Sequence, residues 1–106
     1  MPVKIQRLMQ ELKNGLAELY GIRLKSVILF GSYARGDFDE SSDLDIMIVL
    51  GDYRSYWEEL VRTSHLVSDL SLKFGITISR IIMTEEQWRS ADMPILRNVR
   101  AEGIAA

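Results

Sequence analysis

Two short apolar segments, Val27–Phe30 and Ile46–Leu50, constrain the fold most, because a long polar stretch, GSYARGDFDESSDLD, separates them. Apolar runs of about four to eight residues with turn residues beside them are typical of buried strands. We expect strands over Lys25–Phe30 and Leu44–Leu50, and we place both inside a sheet because their residues are apolar on both faces. If the strands are neighbours, the Gly-Ser turn after the first meets the Asp-Leu-Asp at the start of the second.

Helical periodicity surrounds the two strands. Apolar residues recur at spacings of three and four from Ile5 to Leu19 and again from Tyr53 to Phe74. Thr84 and Gln87 have the spacing of a capping box. The predicted order is a helix over 5–19, strands over 25–30 and 44–50, a helix over 53–74, a strand over 76–83, a short helix after 84 and a last helix from 94 to 102. This order predicts an α/β (α+β) fold, a small mixed sheet with helices packed on it.

Length and composition narrow the class of protein. The 106 residues suit one domain, 1–106, and a net charge of −2 gives no field that would attract nucleic acid, so a nucleic-acid partner is not expected. The chain has no cysteine, which excludes disulfides and thiolate metal sites and fits an intracellular protein. Its longest apolar run is far shorter than the roughly 20 residues that span a bilayer. We expect a cytoplasmic protein that does not associate with membranes.

The pair Asp43 and Asp45 predicts a metal site. Side chains alternate along a strand, so both carboxylates point to one face, with their α-carbons roughly 6 to 7 Å apart. Two close carboxylates repel unless a cation sits between them, and hard oxygen ligands suit Mg²⁺, which keeps waters and substrate phosphates as its other ligands. An EF-hand loop is excluded because DFDESSDLD has no glycine at its sixth position. Asp43 and Asp45 are therefore the predicted metal ligands and catalytic residues.

The turn after the first strand predicts a phosphate-binding segment. Gly31 lets the backbone approach a ligand closely, and Ser32 can cap a following helical turn or donate its hydroxyl to a phosphate. Arg35 can contact a phosphate or hold the loop by an ion pair with Asp37 or Asp39. We predict Gly31, Ser32 and Arg35 as nucleotide-binding residues.

At these residues the chain resembles the DNA polymerase β-like nucleotidyltransferase superfamily, whose signature is Gly-Ser, ten residues, and Asp-x-Asp. Gly31-Ser32, Tyr33–Ser42 and Asp43-Leu44-Asp45 match it throughout. More narrowly, GSYARG, SDLDIMIV and PILRNVRAEGI resemble the minimal nucleotidyltransferases, or MNT group. The resemblance implies a Mg²⁺-dependent transfer of AMP from ATP to a hydroxyl group. It also implies a HEPN-domain partner protein that carries the acceptor, as in HEPN/MNT toxin-antitoxin pairs, and it is compatible with a homo-oligomer.

One departure from the superfamily concerns its third carboxylate, which lies on the third strand. That strand reads GITISRIIM here, and the candidates on the same face are Thr77 and Ser79. Three alternatives follow: a site with one metal; a substitute acid from Glu40, Asp52 or a partner; or a nucleotide-binding interaction module without turnover. Transfer to a small molecule such as an aminoglycoside would need an acceptor pocket that a chain of this size does not build alone.

We expect the only histidine and the aromatic residues of the long helix to have structural roles. His65, the only histidine, lies on the predicted long helix away from the Asp-x-Asp pair. Tyr53, Tyr56 and Trp57 share the apolar pattern of that helix, so we expect them to pack in the core. The alternative is that they form a surface for a partner protein.

Overall fold

The computed structural model describes all residues from Met1 to Ala106. The chain has five helices and four strands, with a single 3-10 turn at Gly21–Arg23. The elements are α1 (Val3–Tyr20), β1 (Leu24–Phe30), α2 (Ser32–Arg35), β2 (Leu44–Leu50), α3 (Tyr56–Phe74), β3 (Ile78–Thr84), α4 (Glu85–Ser90), α5 (Pro94–Glu102) and β4 (Ile104–Ala105).

The strands form one mixed sheet in the order β3-β2-β1-β4. β1 and β2 are antiparallel neighbours, while β2 and β3 are parallel and are joined through α3. The two central strands are β1 and β2. These are the strands whose apolar residues on both faces predicted a central position. The register places Phe30 opposite Asp45, and Asp45 opposite Ser79. The predicted fold class, a small mixed sheet with packed helices, is confirmed.

The helices cover the two faces of the sheet unequally. The larger core lies between one face and the helices α1 and α3, and α1 contributes Ile5, Leu8, Leu12 and Leu16, which are almost fully buried. On the other face a smaller cluster packs α5 against the sheet through Leu96 and Val99. That face is left open at the end where Asp45 and Ser79 lie, since Asp45 is only partly buried and Ser79 is exposed.

Local signals set most of the helix ends. The side chain of Ser55 accepts a hydrogen bond from the backbone N–H of Glu58 at 3.4 Å, so α3 begins at Tyr56 rather than at the predicted Tyr53. Thr84 and Gln87 make the predicted capping box of α4. Pro94 opens α5, as predicted.

Three features differ from the expectation. Strand β3 begins at Ile78, two residues later than predicted. The two-residue strand β4 was not predicted, because the segment after Gly103 is too short to have a period. The expected core packing of Tyr56 and Trp57 is wrong, since their exposed fractions are 42% and 71%.

None of the helices has the length and apolar character that crossing a bilayer requires.

Candidate active site

The Gly-Ser turn and the aspartate pair meet at one end of the sheet. Because Phe30 pairs with Asp45, the next residue of the chain, Gly31, lies directly beside that carboxylate. A Cβ atom added to Gly31 would overlap Oδ2 of Asp45 and would lie 3.1 Å from its Cγ. Gly31 also has φ 75° and ψ −156°, a backbone conformation that only glycine adopts readily. The close approach therefore requires glycine at this position.

The two aspartates differ in their surroundings. Asp43 is exposed immediately before β2, and Asp45 is the second residue of the strand and partly buried. Burial raises the pKa of Asp45, the negative charge of Asp43 raises it further, and the positive charge of Arg35 opposes both effects. Because only Leu44 separates the two residues at the start of β2, both carboxylates can act on the same small region.

This donor set fits a magnesium ion with few protein ligands. Asp43 and Asp45 supply hard carboxylate oxygens whose mutual repulsion a divalent cation would relieve, and Mg²⁺ commonly uses one or two carboxylates together with waters and substrate phosphates. No group of three or more His, Cys, Asp or Glu side chains in the chain is arranged to hold a metal. The candidate site is therefore a pair of carboxylates without a third acid from this chain.

Helix α2 places the remaining residues of the turn. Ser32 is its first residue and Gly31 is its N-cap, with no side-chain capping hydrogen bond. The capping role considered for Ser32 is wrong, and the Ser32 hydroxyl makes no hydrogen bond within the chain. The carbonyl of Gly31 accepts from the N–H groups of Ala34 and Arg35 at 3.1 and 3.0 Å, whereas the N–H groups that precede them lack intrahelical acceptors.

Arg35 is held by two acidic side chains. Its Nε donates to Asp37 at 3.1 Å, and its Nη1 donates to Glu102 at 3.0 Å. Of the two predicted ion-pair partners, Asp37 is present. Asp39 instead accepts hydrogen bonds from the backbone and side chain of Ser41 at 2.8 and 2.7 Å, which shape the loop. Glu102 was not predicted, and the only signal was its place in the C-terminal segment that resembles the MNT group.

The strand register shows which of the proposed residues lie where a third metal-binding acid would be needed. Ser79 is the partner of Asp45 on the parallel neighbour β3, so the two side chains share a face. Thr77 precedes β3, and its carbonyl accepts the N–H of Leu44 at 2.8 Å. Asp52 follows the opposite end of β2, roughly 20 Å along the strand from Asp45, which excludes it as a ligand at this site. Glu40 is exposed in the loop and forms no metal-binding group with the aspartates.

A cavity of about 630 Å³ lies beside Asp43. The loop between α2 and β2 forms one wall, the segment Gly75–Thr77 forms another, and Lys4 of α1 contributes from a third side. Tyr33 and Phe38 stack at this cavity with ring centroids 4.4 Å apart. Sequence reasoning missed this cavity, because its walls come from parts of the chain that are far apart in sequence.

The other singled-out residue, His65, is exposed on α3, 3.7 Å from Asp69 and remote from the aspartate pair. Its interpretation as a residue outside the site agrees with this position.

The fold and this end of the sheet define a class: a small domain with a mixed sheet in which a glycine turn and a carboxylate pair lie on an open part of one face. A sequence model of the nucleotidyltransferase domain matches residues 9–93. The chain therefore belongs to the nucleotidyltransferase domain family.

Individual relatives agree with this assignment. A protein of Methanocaldococcus jannaschii, provisionally named a protein adenylyltransferase, is 39% identical over 99 residues, which cover 92% of this chain and 93% of the relative. A solved structure described as a minimal nucleotidyltransferase superimposes with a TM-score of 0.66 at 24% identity and covers 98% of this chain and 95% of the other. The MNT antitoxin complex of Shewanella oneidensis with a tri-AMPylated HEPN toxin matches with a TM-score of 0.53 at 20% identity, over 91% and 69% of the two chains. The predicted nucleotidyltransferase family is thereby confirmed, and the resemblance to minimal nucleotidyltransferases is confirmed for the fold.

Proposed function

We propose that this nucleotidyltransferase moves AMP from ATP to a hydroxyl group on a partner protein, in the presence of Mg²⁺. The observation that carries the proposal is the contact between Gly31 and Asp45, which puts a turn with free N–H donors against a carboxylate pair. A triphosphate needs both parts: donors for its oxygens and a place for its counter-ion.

Each residue has a separate task in this reaction. Asp43 and Asp45 would hold the magnesium ion, which when bound would neutralise phosphate charge and polarise the phosphoryl group. Ser32 would donate its hydroxyl to a phosphate oxygen, and Arg35 would add a positive charge. The acceptor oxygen bonds to the α-phosphorus and releases its proton to solvent water. The bond from that phosphorus to the bridging oxygen breaks, its electron pair stays on that oxygen, and pyrophosphate leaves.

We assign the acceptor to a partner protein because of the proteins that this chain is similar to. Its relatives include a provisionally named protein adenylyltransferase and an MNT antitoxin found with a modified HEPN toxin. We infer that a HEPN-domain protein carries the hydroxyl, so that this chain acts as the antitoxin of such a pair in the cytoplasm.

The alternative is a nucleotide-binding interaction module without turnover. The observation that favours it is the exposed Ser79 on β3, where the superfamily keeps an acid. The two functions predict the same nucleotide binding and differ only in product formation.

Incubation with α-labelled ATP, Mg²⁺ and a HEPN-domain protein encoded beside this chain tests the proposal. We expect label on the partner, released pyrophosphate, and no transfer by Asp45→Asn. Binding of magnesium-ATP without labelled partner would support the interaction module, and no binding at all would refute both functions.

Ser79→Asp tests the missing acid directly. A carboxylate at this position would lie beside Asp45 and could assist deprotonation of the acceptor, which is worth about 10²- to 10⁴-fold in rate. We expect faster transfer and a lower melting temperature without Mg²⁺ that recovers when Mg²⁺ is added. Ser79→Asn is the control of similar size to aspartate without the charge. A rate equal to that of Ser79→Asn would show that a carboxylate at this position does not assist transfer.

A further inference from the structure

The C-terminal residues reach the Gly-Ser turn through Glu102. This residue is the last of α5, its side chain is only 25% exposed, and it accepts a hydrogen bond from Nη1 of Arg35 at 3.0 Å. The two residues are 67 positions apart in sequence. An ion pair with Glu102 can hold the Arg35 guanidinium in one place only if the backbone that carries Glu102 is itself fixed.

Strand β4 holds the backbone on the Glu102 side. Ile104 pairs with Leu29 and Ala105 with Ile28, and the N–H of Ala106 donates to the carbonyl of Val27 at 2.9 Å. Glu102 ends α5 two residues before Ile104, so the pairing of β4 with β1 anchors the backbone next to Glu102. This anchored backbone supports the contact of the Glu102 carboxylate with Arg35 of α2.

Gly103 makes this placement possible. A Cβ atom at Gly103 would lie 2.7 Å from Cγ2 of Ile28 and would also overlap the carbonyl of Val99. Because Gly103 has no side chain, the chain passes from α5 into β4 in tight contact with β1, with the N–H of Gly103 donating to Val99 at 2.7 Å.

Arg35 keeps part of its hydrogen-bonding capacity. A guanidinium has five N–H donors in a rigid plane. Nε of Arg35 donates to Asp37 and one N–H of Nη1 donates to Glu102, while Nη2 makes no hydrogen bond within the chain. Arg35 is the last residue of the four-residue helix that begins at Ser32, so its backbone lies one helical turn from the Gly-Ser turn.

We propose that Glu102 is a positioning residue that fixes the Arg35 guanidinium so that its free donors face the nucleotide phosphates. The proposal rests on the proposed function, because it assigns Arg35 to the phosphates. Without Glu102, the long Arg35 side chain is tied only to Asp37, two residues away, and binding must order it. Holding one flexible side chain in advance improves affinity by about three- to tenfold.

Calorimetric titration with magnesium-ATP, and separately with magnesium tripolyphosphate, tests this role. We expect Glu102→Ala to weaken both by about three- to tenfold. Glu102→Gln should restore most of the affinity, because its amide oxygen accepts the same hydrogen bond. Glu11→Ala is the matched control, since Glu11 also joins two elements, through a 2.6 Å ion pair with Lys73, but lies away from the turn. Its titrations should equal those of the original chain.

A double mutant separates positioning from a structural effect. In the Arg35→Ala background, Glu102→Ala should cause no further loss of affinity, because its effect passes through the guanidinium. Equal losses with and without Arg35, or a Glu102→Ala variant that only melts earlier and binds normally, would overturn the proposal. Tighter binding by Glu102→Ala would overturn it too, since Glu102 would then compete with the phosphates. Failure of the unmodified chain to bind either ligand would instead refute the proposed function itself.

Discussion

Replacement of Gly31 by alanine is the sharpest test of the site, because it adds one methyl group where the turn touches Asp45. The methyl would overlap Oδ2 of Asp45 and lie 3.2 Å from its Cβ. The substitution therefore has two separate consequences: strain in the backbone of residue 31, and displacement of a carboxylate that we assign to the metal.

The magnitude of the strain follows from the backbone angles. With φ 75° and ψ −156°, residue 31 lies in a region that costs a residue with a side chain about 1–3 kcal/mol. For a domain of about 100 residues, 1 kcal/mol lowers the melting temperature by roughly 4–8 °C, so we expect a fall of about 5–20 °C. Relief of the overlap requires the Asp45 carboxylate to move away from residue 31, so magnesium-ATP binding should fall below detection.

Gly21→Ala is the matched control. Gly21 has φ 54° and ψ −128°, also a conformation that favours glycine, but an added Cβ there would have no neighbour within 4 Å. Urea denaturation should show a comparable loss of stability in both variants, while calorimetry should show normal magnesium-ATP binding for Gly21→Ala alone. If Gly31→Ala binds magnesium-ATP as tightly as Gly21→Ala does, the contact with Asp45 does not matter for the ligand and the reasoning is wrong.

Three further predictions concern single side chains. Burial and the charge of Asp43 raise the pKa of Asp45. The contribution of Asp45 to the free energy of unfolding is therefore present below the ordinary aspartate pKa of about 3.9, and it is lost as the pH rises through the raised pKa. Asp45→Asn removes this loss, so urea denaturation without metal should show the variant gaining stability over the original chain from about pH 4 upward; a difference independent of pH would contradict this. Ser32→Ala should change the free energy of unfolding by less than about 0.5 kcal/mol, since Ser32 caps nothing, yet weaken ATP binding by about one to two decades; a binding loss below about twofold would remove Ser32 from the site. Trp57→Ser should also cost less than about 0.5 kcal/mol in thermal or urea unfolding, because the ring is 71% exposed, and a loss of several kcal/mol would show that Trp57 packs after all.

Short-range signals explain why so much of the fold was predictable. Apolar spacing identified α1, α3 and both central strands, and the capping pair Thr84 and Gln87 located α4. These patterns arise from contacts within one helical turn or one strand, so a short stretch of sequence is enough to predict them. The same locality explains the failure at Trp57, since a helical period does not reveal how wide the buried face is.

For the candidate site, the sequence by itself identified the residue types: a glycine turn, a hydroxyl, and two carboxylates that strand alternation predicts on one face. Only the tertiary structure decided which partners meet there. It excluded Asp52 by placing it past the opposite end of β2, it put Ser79 beside Asp45, and it brought Glu102 to Arg35 through β4. Strand pairing and ion pairs join residues tens of positions apart, and their register depends on how the whole core packs, which no local pattern contains.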